Sequence, residues 1–425
     1  MALIFSACEI LPFDLPWISE QGSTATPAPG EAGQDQTPTP ELTVTAETTP
    51  EPITQLTLWV PPEMDPGLDT EASQIFAKQL QLFSDSHDGL AIDVRVKAVS
   101  GAGGLLDSLT ATNAAAPDAL PDVIVLTRPD LETAALKSLI YAMDGLTDIP
   151  DDPDWFSFTR EMALLQGSTF GLPFAADSLV LVYRPESIPE FPATWNGLIE
   201  SGIPLTFPAE SDQSVIQLAL YLAAGGSIQD NQRRPVLEVT PLADVFRIIA
   251  DGVDSGTFSS NLSQYQTSAQ VWTAFRDGQT DLAVTWLSNY LKDRPEDATI
   301  VPMLPVNDGA VALGTGMSWA VAAADENRRP LAVELAEFLV EPEFVSEWTR
   351  AAGYLPSRPS ALEGWQDQTM VAKYSQIALM TRLFPSNDLV SSLGPILREG
   401  TRQILQGLVD PAQAAQVAVE NLEGQ

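Results

Sequence analysis

Apolar and polar positions alternate between two kinds of spacing along the first part of the folded chain. Short apolar or alternating runs are typical of strands, whereas apolar residues three or four positions apart are typical of helices. Strand patterns occupy residues 55–60, 91–96 and 121–126, and helical patterns occupy residues 70–83, 101–116 and 131–139. This alternating order predicts an α/β fold with a parallel sheet that is covered by helices on both faces.

A second set of patterns begins after a break in the regular spacing at residues 170–177. Residues 178–183, 281–285 and 317–323 are apolar runs that predict further strands. Helical spacing dominates from residue 330 onward and includes a predicted helix over residues 368–383. The sequence therefore predicts a second α/β section, and ligands of such sheets bind at the carboxyl edge of the strands.

The N-terminal 53 residues differ from the rest of the chain. Met1 to Cys8 is an apolar run that ends in two small residues and a cysteine, and it resembles the lipobox of a bacterial lipoprotein signal. We expect residues 1–8 to be a truncated signal with Cys8 as the lipidated residue; an unmodified cysteine near a frayed terminus is the alternative. Residues 9–53 are rich in Thr and Pro with few large apolar side chains, which predicts a disordered tether.

The charge balance and two rare residue types exclude several kinds of protein. The chain carries 57 Asp and Glu against 21 Lys and Arg, a formal net charge of −36. Such a surface repels nucleic acid, because binding to phosphates depends on basic side chains. Cys8 and His87 are the only cysteine and histidine in the sequence, so Cys/His zinc sites and intrachain disulfides are excluded. We expect no cofactor and no metal, and no run reaches the ~20 apolar residues that span a bilayer.

Several short motifs follow the tether in a characteristic order. The most specific is the run TFGLPFAADSL at residues 169–179. The others are Leu58-Trp59, Thr194-Trp195, Trp272 with Phe275 and Gly278, Gly316-Met317-Ser318-Trp319, Pro342-Glu343, and GYLPSR at residues 353–358. With these motifs the chain resembles the extracellular solute-binding proteins of family 1, the maltose-type periplasmic-binding group of ABC importers, over nearly its whole length after the tether.

The resemblance implies a two-lobed periplasmic-binding-protein-like fold of type II, in which each lobe is a sheet flanked by helices and the ligand cleft lies between the lobes. The implied N-terminal lobe comprises residues 54–174 and 312–355, and the implied C-terminal lobe comprises residues 175–311 and 356–425. The implied protein is an extracytoplasmic, lipid-anchored monomer and not an enzyme. It captures a small-molecule solute, here a carbohydrate, by hinge closure and delivers it to the permease subunits of an ABC importer.

Sugar recognition needs flat apolar surfaces for the faces of the ring and polar groups for its hydroxyls. Aromatic side chains supply the surfaces, and carboxylates supply charge-assisted hydrogen bonds. Residues of these types stand at predicted strand ends and at the implied crossings between the lobes. The candidate ligand-binding residues are Trp59, Asp130, Phe174, Asp177, Trp286, Trp319 and Tyr354. A core position is the alternative for the tryptophans, helix capping is the alternative for Asp130, and a hinge-stabilising turn is the alternative for Asp177.

The sequence leaves three other functions open. A secreted carbohydrate-active enzyme would use paired carboxylates, which a chain with 57 acids contains in any case. The same fold would also suit a polyamine or another non-sugar solute, or a role in sensing or adhesion. The sequence shows no local cluster of basic residues, and we therefore expect no anionic ligand.

Overall fold

A computed structural model describes residues 52–306 and 309–424. The predicted lipobox at Cys8 and all but the last two residues of the predicted tether lie outside the described residues. The strands are β1 (Gln55–Val60), β2 (Ala91–Val96), β3 (Val123–Thr127), β4 (Leu164–Leu165), β5 (Ser168–Thr169), β6 (Leu172–Tyr183), β7 (Leu282–Trp286), β8 (Thr299–Val301), β9 (Ala312–Val321), β10 (Leu355–Pro356) and β11 (Thr381–Leu383).

The helices alternate with the strands in the first part of the chain and predominate at its C-terminal end. They are α1 (Glu71–Ser86), α2 (Leu105–Ala115), α3 (Arg128–Leu136), α4 (Ser157–Ala163), α5 (Trp195–Ser201), α6 (Val215–Ala223), α7 (Val239–Ser255), α8 (Ser268–Arg276), α9 (Leu287–Asp293), α10 (Arg329–Phe338), α11 (Pro342–Ala352), α12 (Pro359–Glu363), α13 (Gln368–Met380), α14 (Asn387–Leu405) and α15 (Pro411–Glu423).

The first lobe is built on the three strands β1, β2 and β3, which pair in parallel in the order β2–β1–β3. Strand β9 then pairs antiparallel with β3, β6 pairs antiparallel with β9, and β10 lies beside β6. Helices cover this sheet on both faces, because the parallel strands are connected by crossovers that each contain a helix. The predicted α/β fold is therefore confirmed.

The second lobe is built on β7 and β8, which both pair with the C-terminal half of β6. Strand β11 pairs in parallel with the start of β9, at Ala312 to Gly314. Strands β6 and β9 therefore each give one half to the first lobe and the other half to the second. The molecule has two lobes that share these two long strands. The lobe boundaries given above, which end the N-terminal lobe at residues 174 and 355, stay a prediction.

Two expectations about local structure were wrong. Strand β6 runs without a break from Leu172 to Tyr183, although the spacing at residues 170–177 predicts an interruption. All but the last of its residues are buried, so the alternation that marks a half-exposed strand is absent. The predicted helix over residues 368–383 ends at Met380, and its last three residues form β11 on the edge of β9.

A column of aromatic side chains fills one face of the first lobe. Phe76 of α1 stacks on Trp319 of β9 with ring centroids 6.1 Å apart, and Trp319 stacks on Phe174 of β6 at 4.7 Å. Phe344 of α11 closes the column at 6.4 Å from Phe76. Each such ring buries a large apolar area and contributes several kcal/mol, on the order of 3–5 for removal of a core aromatic ring. This column fixes α1 and α11 on the sheet.

The end of α11 touches α9 of the second lobe through a glycine. Gly353 has a φ of 75°, in the left-handed region that favours glycine, and it terminates α11. A Cβ atom at this position would lie 2.9 Å from the backbone nitrogen of Lys292 and 3.0 Å from its Cα. Arg294 reinforces the contact, because its guanidinium donates to the carbonyl oxygen of Arg350 at 2.7 Å. The two lobes therefore pack backbone to backbone at this point.

We predict that Gly353→Ala lowers the free energy of unfolding more than Gly256→Ala does. Both glycines end helices with a positive φ, but a Cβ atom at Gly256 would meet nothing within 4 Å. The control should lose roughly 1–2 kcal/mol from backbone strain, whereas Gly353→Ala should lose a further ~1–3 kcal/mol from overpacking against Lys292. Urea unfolding of the two variants measures both values, and equal losses would show that α9 does not approach so closely.

Candidate functional site

Asp177 connects the shared strand β6 to the start of α9 through hydrogen bonds. Its Oδ1 accepts hydrogen bonds from the backbone N–H groups of Ser178 and Ser288, each at 2.9 Å, and the Ser288 hydroxyl donates to Oδ2 at 2.5 Å. Trp286 precedes α9 without a capping hydrogen bond from its side chain. The carboxylate of Asp177 therefore supplies the missing cap from another part of the chain.

The surroundings of Asp177 make its charged form costly. The side chain is buried, and burial raises its pKa to about 6, although the three hydrogen bonds and the charge of Lys292 act in the opposite direction. A carboxyl group with a pKa near 6 changes its charge at weakly acidic pH. The bond between β6 and α9 therefore depends on pH.

Tyr354 forms a chain of hydrogen bonds that joins the two lobes. Its hydroxyl donates to Oε1 of Glu63, which follows β1, at 2.8 Å. The same hydroxyl accepts from Nζ of Lys292 on α9 at 2.7 Å, and this ammonium group also lies 4.0 Å from the centroid of the tyrosine ring. Burial and the nearby carboxylates of Glu63 and Asp177 raise the pKa of Tyr354, so the hydroxyl keeps its proton. We call these three residues the Glu63–Tyr354–Lys292 chain.

The aromatic column of the first lobe ends at this chain. Tyr354 stacks on Trp348 with an interplanar angle of 5°, and Trp348 meets Phe174 edge to face at 5.4 Å. Phe174 and Trp319 are completely buried, and the indole N–H of Trp319 donates to the carbonyl oxygen of Leu339. These two candidate ligand residues therefore present no face to a solute in this structure. Tyr354 is the member of the column that reaches the junction of the lobes.

The other candidates occupy three different settings. Trp286 is half-buried at the end of β7 and faces Leu179 across the strand pair, beside the start of α9. Trp59 is buried at the end of β1, with Nζ of Lys97 4.7 Å from its ring centroid and no hydrogen-bond partner for its indole N–H among the described residues. Asp130 accepts a hydrogen bond from the Thr127 hydroxyl at 2.9 Å, and burial raises its pKa.

The structure therefore brings three of the seven candidates to one helix. Asp177, Trp286 and Tyr354 all meet α9, and Phe174 and Trp319 support Tyr354 from the core. Trp59 and Asp130 lie on elements of the first lobe that do not make these contacts. The ligand roles of all seven residues stay a prediction.

Two adjoining cavities lie between the lobes on the side of α3 and α4. Their volumes are about 650 and 570 Å3, within the range of small-molecule sites. The two cavities share Arg128, Gln229, Ser386 and Leu389 and together form what we call the interlobe groove. Its first-lobe wall consists of α3, α4 and the β4–β5 hairpin, and its second-lobe wall consists of the segments 222–235 and 379–389.

The groove combines apolar and polar side chains. The apolar lining includes Leu165, Phe170 and Leu389, and the polar lining includes Gln166, Ser168 and Gln229. None of the seven candidate ligand residues lines the groove. Sequence reasoning missed it because its walls come from segments more than 50 residues apart, and the only available signal was the position of α3 directly after the β3 strand end.

Other chemistry of the described residues is limited. No group of three or more His, Cys, Asp and Glu side chains in residues 52–306 and 309–424 has the arrangement of a metal site. His87 lies at the end of α1, where Nδ1 is 2.9 Å from the carbonyl oxygen of Phe83 and Nε2 is 3.2 Å from Glu334. None of the helices in these same ranges is long and apolar enough to span a membrane.

Most of the chain matches one known protein family. A model of the bacterial extracellular solute-binding protein family matches residues 78–378, more than half of the chain. The chain belongs to this family. No curated protein sequence gives a significant match to this solute-binding protein.

Solved structures share its fold at low sequence identity. The cyclic alpha-maltosyl-1,6-maltose binding protein from Arthrobacter globiformis is 16% identical, with a TM-score of 0.72 over 88% of this chain and 99% of that chain. The sugar-binding protein MalE from Xanthomonas citri is 18% identical, with a TM-score of 0.68 over 87% and 97%. UgpB from Mycobacterium tuberculosis, solved with glycerophosphocholine, is 16% identical, with a TM-score of 0.66 over 87% and 98%.

We predict that Asp177 makes the stability of the protein fall as the pH rises from about 4 to about 6. Below this window the carboxyl group is protonated in the folded and unfolded states alike. Within it the unfolded state ionises first, because burial raises the folded-state pKa from 3.8 to about 6. The free energy of unfolding therefore falls across this window, on the order of 3 kcal/mol for a pKa shift of this size.

Urea unfolding of the wild type and of Asp177→Asn at pH 4, 5, 6 and 7 measures this effect. The difference in unfolding free energy between the two proteins should decrease with rising pH and become constant above pH 6. Asp88→Asn, in the exposed turn after α1, is the control for the removal of a surface carboxyl group. A constant difference for Asp177→Asn would mean that its carboxyl group is not held in a buried site.

Proposed function

We propose that this solute-binding protein captures a carbohydrate between its two lobes and delivers it to the permease subunits of an ABC importer. The observation that carries the proposal is a groove with walls from both lobes, beside two strands that the lobes share. A solute in such a groove contacts both walls at once. Binding therefore favours the arrangement in which the lobes are closest, and the shared strands allow this change by bending.

The carbohydrate class is supported by the proteins that share the fold. Solved structures with this fold include a cyclic alpha-maltosyl-1,6-maltose binding protein and a maltodextrin-binding protein in complex with maltotetraose. The presence of UgpB, solved with glycerophosphocholine, among them indicates that the fold also accepts solutes other than sugars. Membership of a family of binding proteins favours capture over turnover.

We further propose that the protein works outside the cytoplasmic membrane and is anchored by lipid at Cys8. The support is the sequence alone: an apolar run ends at this cysteine, and the Thr- and Pro-rich segment after it would act as a tether of residues 9–53. In this arrangement the folded lobes stay near the permease without a membrane-spanning helix.

The candidate ligand residues lie outside the groove lining. We propose them as contacts for the part of a solute that extends beyond the groove, with Trp286 and Tyr354 as the aromatic contacts and Asp177 and Asp130 as the polar contacts. Trp286 and Tyr354 are not fully buried, and both border α9, where the lobes meet. Trp59 is buried at the end of β1, outside the groove, and its contact with a solute stays a prediction. Phe174 and Trp319 hold Tyr354 in position through Trp348.

We predict that a carbohydrate raises the melting temperature of the full chain. A ligand that binds the folded state alone stabilises it by about 2.7 kcal/mol at one hundred times its dissociation constant. A screen of mono- and oligosaccharides, polyamines and amino acids, followed by titration of each hit, measures the effect. A dose-dependent rise with one sugar class is the expected result. A rise with polyamines alone would retain solute capture and reject the carbohydrate, and hydrolysis of a chromogenic glycoside would reject capture in favour of an enzyme.

We predict that Trp286→Ala weakens binding of that carbohydrate at least tenfold, because the ring supplies apolar area to the face of the sugar. Tyr141→Ala is the matched control: Tyr141 is also a half-buried aromatic residue, but it pairs with Val321 at the end of β9 far from the second lobe. Isothermal titration calorimetry measures both dissociation constants. Unchanged affinity in a folded Trp286→Ala protein would remove Trp286 from the site.

A further inference from the structure

Three arginines from distant parts of the chain line the interlobe groove. Arg128 belongs to the first lobe, whereas Arg233 and Arg382 belong to the second. The chain has 21 basic against 57 acidic residues, yet the groove lining holds these three arginines against three acids, Glu132, Glu161 and Asp388. Arg128 lines both cavities of the groove, whereas Arg233 and Arg382 line one cavity each. The sequence-based expectation of no basic cluster did not include this lining, because the three arginines are about 100 or more positions apart in the chain.

The first-lobe charges of the groove largely compensate one another. Arg128 donates from Nη1 to the carbonyl oxygens of Met162 at 2.8 Å and Leu164 at 3.0 Å, which holds it against the end of α4. Burial lowers its pKa, and the negative charges of Glu132 and Glu161 raise it. These two acids are therefore near enough to Arg128 to offset its charge. An arginine stays protonated in this environment.

The second-lobe arginines are not compensated in this way. Within residues 52–306 and 309–424, the side chains of Arg233 and Arg382 take part in no ion pair and no hydrogen bond. Both are exposed to solvent at the groove. Asp388 is the one second-lobe acid among the described lining residues. The second-lobe wall thus presents two available guanidinium groups.

The backbone at Arg233 gives independent support for a role of its side chain. Arg233 has a φ of 62°, in the left-handed region, where a non-glycine residue costs roughly 1–2 kcal/mol. The turn around it is fixed by Asp230, whose carboxylate accepts from the backbone N–H groups of Gln232 and Arg234 at 2.8 and 2.9 Å. Glycine would suit this position better for folding alone. An arginine here, aimed at a cavity, is typical of strain kept for a functional side chain.

We propose that the interlobe groove takes a solute with an anionic substituent on a hydroxylated body, and that Arg233 and Arg382 bind the anionic group. This inference rests on the proposed capture of a solute between the lobes and names the class of that solute. A guanidinium group binds a carboxylate or a phosphate through two parallel hydrogen bonds. The amide and hydroxyl groups of Gln166, Ser168 and Gln229 suit the hydroxyls of the same solute, and Phe170 suits its apolar face.

Calorimetric titration of the full chain with matched pairs tests the class of solute. The pairs are glucose with glucuronate, glucose with glucose 6-phosphate, and glycerol with glycerol 3-phosphate. The charged member of at least one pair should bind at least tenfold more tightly than its neutral partner, and the pairs distinguish a carboxylate from a phosphate. Binding of neutral sugars with no gain from charge would overturn the anionic class and leave solute capture intact. Binding of neither kind would overturn both proposals.

Three variants then test the residues. Arg233→Gly and Arg382→Gln should each weaken binding of the charged solute at least tenfold and leave neutral sugars unaffected, and Arg233→Gly should keep or raise the melting temperature because glycine adopts a positive φ freely. Arg234→Gln is the matched control: Arg234 is the exposed neighbour of Arg233, is paired with Asp230, and does not line the groove. An equal loss in the control would show an effect of surface charge alone and overturn the assignment.

Discussion

The antiparallel pairing of β6 with β9 is the constraint on which both lobes depend. The two strands are paired from Leu172 and Trp319 to Ser178 and Gly314, with a register shift between Pro173 and Ala175. A Cβ atom at Gly316 would collide with the carbonyl oxygen of Ala175 and approach Cε of Met162 on α4 to 2.8 Å. The pair therefore needs glycine so that α4 can lie directly on the shared strands. A side chain here would push α4 away from the strands. Because α4 forms part of the first-lobe wall of the groove, that wall would move as well.

Strand β6 carries this constraint into the contact between the lobes. Asp177 lies on β6 next to the end of its pairing with β9, and its carboxylate caps α9. Helix α9 in turn carries Lys292, which binds Tyr354 at the end of the aromatic column. A displacement of α9 would therefore disturb its contacts with both the shared strand β6 and the core of the first lobe. Because the cap is a buried carboxyl group, the strength of this connection depends on its protonation, as the raised pKa requires.

The sequence predicts strands and helices well where one kind of spacing persists, and less well where burial removes the spacing. Residues 55–60 and 91–96 were predicted as strands and form β1 and β2 with those bounds. Strand β6 is buried on both faces, so its first half has no alternation to detect.

The tryptophans show a similar limit. A strand-end Trp looks the same in sequence whether it faces a cleft or, like Trp319, stacks between Phe76 and Phe174. Only packing distinguishes the two cases.

The groove shows why net charge is a poor guide to the charge of a solute. At physiological salt, charges on the surface are screened beyond about 8 Å, so most of the 57 acids act weakly on a group inside the groove. Such a group interacts with the local lining of the groove. There Glu132 and Glu161 offset the charge of Arg128. Arg233 and Arg382, in contrast, have no carboxylate bound to them among the described residues. A strongly acidic surface keeps the protein soluble and slows the approach of an anion over longer distances. The affinity, however, depends on the few groups that make hydrogen bonds, and those are set by the fold that places residues 128, 233 and 382 along the two cavities of one groove.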